Sequence, residues 1–141
     1  MGYLEEELNK PLIAVVNTQS EALPGHVHLD TICNAVKEGI LVAGGRPIEV
    51  STLALCDGLG QGNYGMHYPL ASRELIADSI ECIVNGHQYD AMVLITGCDK
   101  ITPGMLMACL CKVGYTCCYD KWWPYGDRML RGRKSRIYRF D

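Results

Sequence analysis

The chain has 141 residues, 48% of them hydrophobic, and a formal net charge of −3, which allows one domain with its own core and leaves no room for a second. Mild acidity gives no reason to expect a nucleic acid or an anionic membrane surface as partner. No apolar run approaches the ~20 residues of a membrane span, and the stretch from Met1 to Glu7 is too acidic for a secretory signal. Eight cysteines in such a chain read as thiols or metal ligands in a reducing cytoplasm, not as a disulfide framework.

Leu12-Ile-Ala-Val-Val16 is a continuous apolar run ending at Asn17, the pattern of a strand buried on both faces. From Leu29 the period changes: Leu29, Ile32, Cys33, Val36, Ile40 and Ala43 follow helical spacing, and Gly44-Gly45 closes the helix. Pro47 to Leu55 is β-branched and apolar, a second strand over 48–55. Residues 57–69 form a glycine-rich loop without period. Ser72 is the expected cap of a second helix whose inner face would be Leu75, Ile76, Ser79, Ile80, Ile83 and Val84, ending at Asn85-Gly86. Ala91 to Thr96 is a third buried strand, and Thr102-Pro103 starts a third helix with proline in first position. The order β-α-β-α-β-α predicts an α/β, three-layer domain with a parallel sheet.

Ligands in open parallel sheets bind beyond the carboxyl ends of the strands. Polar and metal-capable residues stand there three times: Asn17 to Ser20 with Pro24-Gly-His-Val-His28, then Cys56-Asp57-Gly58, then Cys98-Asp99-Lys100. Thiolates suit iron–sulfur clusters or Zn²⁺ and carboxylates suit Mg²⁺, so adjacent Cys and Asp suit two metals side by side. Spacing alone leaves a metal site and ordinary turn chemistry evenly matched. Cys33, Cys82 and Cys109 take the simpler role of small core residues at inward helical positions. His26 and His28 read as exposed histidines at a helix start, and Arg73 and Glu74 as solvated residues of a first turn. The glycine loop lacks Gly-Lys-Ser/Thr and does not follow the first strand, so it is neither a phosphate loop nor a dinucleotide fingerprint.

Lys10 to Asn17, Pro24-Gly-His-Val-His-Leu-Asp30, Cys56-Asp-Gly58, Gly65-Met66, Ser72-Arg-Glu-Leu-Ile-Ala-Asp-Ser79 and Cys98-Asp-Lys-Ile-Thr-Pro-Gly-Met105 resemble the dihydroxy-acid dehydratase and 6-phosphogluconate dehydratase family, without gaps from about Lys10 to Lys112. The resemblance implies part of that family's N-terminal domain, and loss of water from a 2,3-dihydroxy acid to give a 2-keto acid. It implies an iron–sulfur cluster held by three cysteines beside a Mg²⁺. Cys98 would be one cluster ligand; Asp57, Asp99 and, after carbamylation, Lys100 would bind Mg²⁺. Some members carry Cys-Asn where this chain has Gly25-His26, and Cys56 is the candidate replacement ligand. The third cysteine, a further Mg²⁺ carboxylate and the serine base lie in family sequence beyond this chain, so activity of the chain by itself is doubtful. A small-molecule substrate, a homodimer in the full-length family and a cytoplasmic location complete what the resemblance implies. A sugar-acid dehydratase of the same family, and a small metal-binding or redox module using Cys56 and Cys98, are the competing readings.

Composition breaks near Lys112. Residues 1–112 hold 6 Lys+Arg and 13 Asp+Glu, and residues 113–141 hold 7 and 3, together with both tryptophans and the one phenylalanine. The family expects a strand and a Gly-Gly-Pro turn after this point. Codons for Trp122-Trp123 read one base later give Gly-Gly, and each earlier shifted codon can encode the family residue. The expectation is therefore a partial dehydratase domain over 1–112 and a tail over 113–141 translated out of frame, with no native fold. A broken gene with an inert product is the accompanying alternative.

Overall fold

The computed structural model describes residues 3–113 and 117–121. Its strands are β1 (Leu12–Asn17), β2 (Arg46–Ser51), β3 (Ala91–Thr96) and β4 (Cys117–Lys121). They form one parallel sheet in the order β2-β1-β3-β4. The helices are α1 (Glu5–Leu8), α2 (Leu29–Val42), α3 (Asp57–Gly60), α4 (Tyr68–Gly86) and α5 (Ile101–Met107), the last running into a π-helical turn over Ala108–Val113. The three-layer α/β arrangement follows from the alternation along β1 and β3. Ala14, Val16, Met92 and Leu94 point to one face and pack with Ile76, Ile80 and Val84 of α4 and Ile101 and Met105 of α5. Val15 and Ile95 point to the other, against Leu29 and Cys33 of α2. Both faces being covered is why these strands are apolar throughout. Among the described residues no helix is long and apolar enough to cross a membrane.

β1 and β3 match their predicted limits, while β2 ends at Ser51 instead of Leu55. Thr52 N–H still reaches Asn17 O at 3.3 Å, but its hydroxyl turns to Ser79 Oγ at 2.6 Å and the chain leaves the sheet. The expected loop over 57–69 contains α3 and a 3₁₀ turn over Tyr64–His67, which feeds α4 one turn earlier than predicted. Ser72 is thus inside the helix, buried, its hydroxyl donating to Pro69 O at 2.7 Å, and it caps nothing. The buried face of α4 is Pro69, Ser72, Ile76, Ala77, Ile80 and Val84. Leu75 is 60% exposed and Cys82 is exposed as well. Both lie off the stripe set by Ile76, Ile80 and Val84. α5 starts at Ile101, so Pro103 is third and not first. The first helical turn has no intrahelical acceptor for its N–H groups, so proline there breaks no bond. Next to it, Gly104 lets α5 touch α4: a Cβ there would lie 3.1 Å from the Cα and the carbonyl oxygen of Arg73.

β4 was not expected. Its backbone pairs parallel to β3 from Met92↔Cys117 to Thr96↔Lys121. The outer edge of β3 offers a row of backbone donors and acceptors, and pairing with them asks little of the side chains of the arriving segment. The tryptophan pair and the basic end of the tail lie outside the described residues.

Candidate metal centre

All four strands run the same way, so the segments that follow β1, β2 and β3 emerge at one end of the sheet. The register places Asn17 level with Ser51 on one side and Ile95 on the other. From Thr52 the chain continues to Cys56, extended at φ −109°, and Asp57 opens α3. After Thr96, Gly97 is buried and Cys98 and Asp99 lead to Lys100, the residue that caps α5. Two short Cys-Asp segments, 42 positions apart in sequence, are thereby brought face to face.

Lys100 ties them together. Its Nζ donates to Asp99 Oδ2 at 2.7 Å and lies 3.4 Å from Asp57 Oδ2, with side chains 27%, 52% and 20% exposed respectively. The Asp99 hydrogen bond, helped by Asp57, raises the Lys100 ammonium above its ordinary range, and the same hydrogen bond holds the Asp99 carboxyl below its own. Near them, Cys56 and Cys98 are half-buried thiols that pack against the α4 side of the core. Burial, then the adjacent Cys56 thiol, pushes the Cys98 thiol up to about 12. The sequence-predicted residues Cys56, Asp57, Cys98, Asp99 and Lys100 thus share one edge of the sheet.

Two carboxylates converging on one cationic nitrogen form a place built for positive charge, and oxygen donors of this kind suit Mg²⁺. Among the described residues no group of three His, Cys, Asp or Glu side chains can hold a metal ion by itself. In this structure the Lys100 ammonium occupies the space between the two carboxylates, with the Cys56 and Cys98 thiols close by.

Sequence reading missed His26. Far from being an exposed histidine at a helix start, it is fully buried, and its Nδ1 stands 2.7 Å from Thr18 O. Desolvation lowers its affinity for a proton, and because Thr18 O can only accept, Nδ1–H is the donor. The available signal was the turn-forming Pro24-Gly25 pair, which folds the chain back toward the end of β1: His26 N–H donates to Leu23 O at 2.8 Å.

Residues 10–113 match the family described as dihydroxy-acid/6-phosphogluconate dehydratase N-terminal. The chain belongs to that family. It is 59% identical over 108 residues to the dihydroxy-acid dehydratase of Caldicellulosiruptor saccharolyticus, an alignment covering 77% of this chain and 20% of that protein. It is 57% identical over 108 residues to the enzyme of that name from Acetivibrio thermocellus, with the same coverage. With the Clostridium novyi dihydroxy-acid dehydratase the alignment runs over 134 residues at 49% identity, 95% of this chain and 24% of the relative. The chain thus spans about a fifth to a quarter of the length of these dehydratases. Both Cys-Asp segments of the centre lie inside the matched dehydratase region.

Proposed function

We propose that this chain carries part of the metal centre of a hydro-lyase that removes water from a 2,3-dihydroxy carboxylic acid to give a 2-keto acid, the dihydroxy-acid dehydratase reaction of branched-chain amino-acid synthesis in the cytoplasm. The observation that carries this reading is the Lys100 ammonium shared between Asp57 and Asp99, beside the paired thiols of Cys56 and Cys98, in a chain whose relatives bear that enzyme's name. The substrate would be a small hydroxylated acid, and a homodimer the assembly of the full-length protein.

In this reading Asp57 and Asp99 would hold Mg²⁺, Cys98 and Cys56 would ligate the iron–sulfur cluster, and Lys100 would join the oxygen donors as its carbamate. When bound, these groups supply Lewis acidity toward the substrate carboxylate and the leaving C3 hydroxyl. Lys100 must lose its proton before Nζ can attack CO₂, forming the N–C bond and releasing a second proton. Its two carboxylate partners favour the ammonium and oppose that step until their charge is neutralised. Cys98, held as a thiol by burial, must likewise give up its proton to bind iron, which makes loading pH-dependent.

Among the described residues this centre has two thiols and no serine placed as a base, so the 141-residue polypeptide is expected to give no keto acid. Reconstitution with Fe²⁺, sulfide and Mg²⁺ under anaerobic conditions, followed by assay on 2,3-dihydroxyisovalerate, checks this; turnover would overturn it. The reaction itself is tested in a chimaera in which residues 10–112 replace the corresponding segment of a related dihydroxy-acid dehydratase. The chimaera should dehydrate 2,3-dihydroxyisovalerate, and Asp57→Asn or Asp99→Asn should lower its rate by orders of magnitude, as loss of groups acting directly on the reacting centre does. Dehydration of 6-phosphogluconate in preference would move the assignment to a sugar-acid dehydratase.

A further inference from the structure

The loop Gly97-Cys98-Asp99-Lys100 leaves β3 through residues that a separate set of contacts pins in place. Thr18 Oγ1 donates to Ile95 O at 2.9 Å, in the interior. Thr18 O in turn accepts the His26 Nδ1–H at 2.7 Å. The far edge of the same ring then closes on Gly97: a Cβ added there would lie 3.0 Å from His26 Nε2 and 3.3 Å from His26 Cδ2, with Gly25 O at 3.1 Å. The contacts form a closed circuit, from Ile95 through Thr18 and His26 to Gly97, two residues further along the chain. Thr18 and His26 are both fully buried, and among the described residues His26 Nε2 is a buried nitrogen with no hydrogen-bond partner.

A packing role alone does not account for this choice of side chain. An apolar residue would fill the space without leaving a bare nitrogen inside, which is ordinarily a destabilising arrangement. Imidazole does what no apolar side chain can: it donates to Thr18 O at one edge and stays flat and narrow at the other, where only a glycine fits. We propose that His26 is a positioning residue for the metal centre, an imidazole that donates Nδ1–H to Thr18 O, fixes Gly97 and thereby sets the direction in which Cys98 and Asp99 are presented to Cys56 and Asp57. The importance of that role for catalysis rests on the metal-centre reading; the circuit of contacts does not. Ligands on a loop need such outer support, since a small displacement of the loop moves every donor on it.

The test uses the intact chain without metal, so its failure is distinct from failure of the dehydratase reading. Native protein under reducing conditions is labelled with iodoacetamide, and rates are resolved for individual cysteines by mass spectrometry. Cys33, fully buried on the inward side of α2 at the other face of the sheet, reports global opening. His26→Asn keeps an N–H for Thr18 O but removes the ring edge at Gly97. It should raise Cys98 labelling on the order of tenfold while Cys33 labelling stays unchanged, the mark of a local release. An equal rise at both cysteines, or no change at Cys98, would overturn the proposal. A second measurement needs no variant: ¹⁵N spectra of the unmodified chain should show the His26 ring protonated at Nδ1 and bare at Nε2. The opposite tautomer would remove the circuit and the proposal with it.

Discussion

The Nζ of Lys100 lies 3.4 Å from Oδ2 of Asp57, a residue 43 positions earlier in the chain, while it donates at 2.7 Å to its own neighbour Asp99. One ammonium thus balances two carboxylates that separate βα units bring together. Removing either carboxylate should lower the Lys100 pKa, Asp99→Asn more than Asp57→Asn, because the shorter hydrogen bond contributes most to the upward shift. The Lys100 side-chain resonances, followed against pH by NMR in the two variants, give both the sign and the order. A Lys100 titration unaffected by Asp57→Asn would mean that the two segments are not coupled.

β1 and β3 were legible because burial on both faces leaves an unbroken apolar run, Leu12–Asn17 and Ala91–Thr96. The metal-capable pairs were legible because they stand directly after such runs. Other features were not. The true inner face of α4 was hidden because Leu75 looks like a core residue and Ala77 does not, although Ala77 is fully buried and Leu75 is 60% exposed. The early start of α4 was hidden because a 3₁₀ turn, not a capping side chain on Ser72, leads into it. His26 was hidden because its partners, Thr18 O and Gly97, are backbone features that no residue pattern announces.

That correction to α4 has a measurable consequence. Ile76 is fully buried in the cluster shared by β1, β3 and α5, whereas Leu75, its neighbour in sequence, faces solvent. Ile76→Ala should destabilise the fold by about 2–5 kcal/mol through lost burial and the cavity left behind. Leu75→Ala should change stability by no more than about 0.5 kcal/mol. Urea unfolding of the two variants checks the pair, and similar losses for both would restore the face first read from the sequence.

Acid should weaken the link between β1, β2 and α2 before it affects the apolar core. Glu49 on β2 accepts from Lys37 Nζ at 2.8 Å and from Asn17 Nδ2 at 2.9 Å. Those bonds, Lys37 first and then Asn17, hold its carboxyl below the ordinary value of 4.5. A carboxyl that binds protons less readily when folded contributes stability that is fully present above its ordinary pKa. That contribution is lost as pH falls through the folded value. Wild type should therefore be more stable than Glu49→Gln at about pH 7, and the gap should narrow by about pH 3.5. Because Lys37 and Glu49 are partly exposed, salt should narrow it too. Urea midpoints at the two pH values read the result, and a gap that widens in acid would contradict it.

The gene should show where family-like sequence ends and why. The family match runs to residue 113, and at that point the balance of charge reverses. Alignments confined to 108 residues give 57–59% identity with two of the relatives, and the one extended over 134 residues gives 49%. β4 does not contradict a change of reading frame, because the bonds that define it are between backbones, and the edge of β3 can pair with an arriving segment of many sequences. We infer that residues 113–141 are family DNA read one base out of register. Nucleotide sequencing should then find one extra base, or two missing, close to the Lys112–Val113 junction. The shifted frame should encode a buried strand followed by Gly-Gly-Pro, with the glycines falling where Trp122 and Trp123 now stand. Unrelated sequence in all three frames after Lys112 would defeat the frameshift and leave a fusion or a genuine short protein as the better explanation.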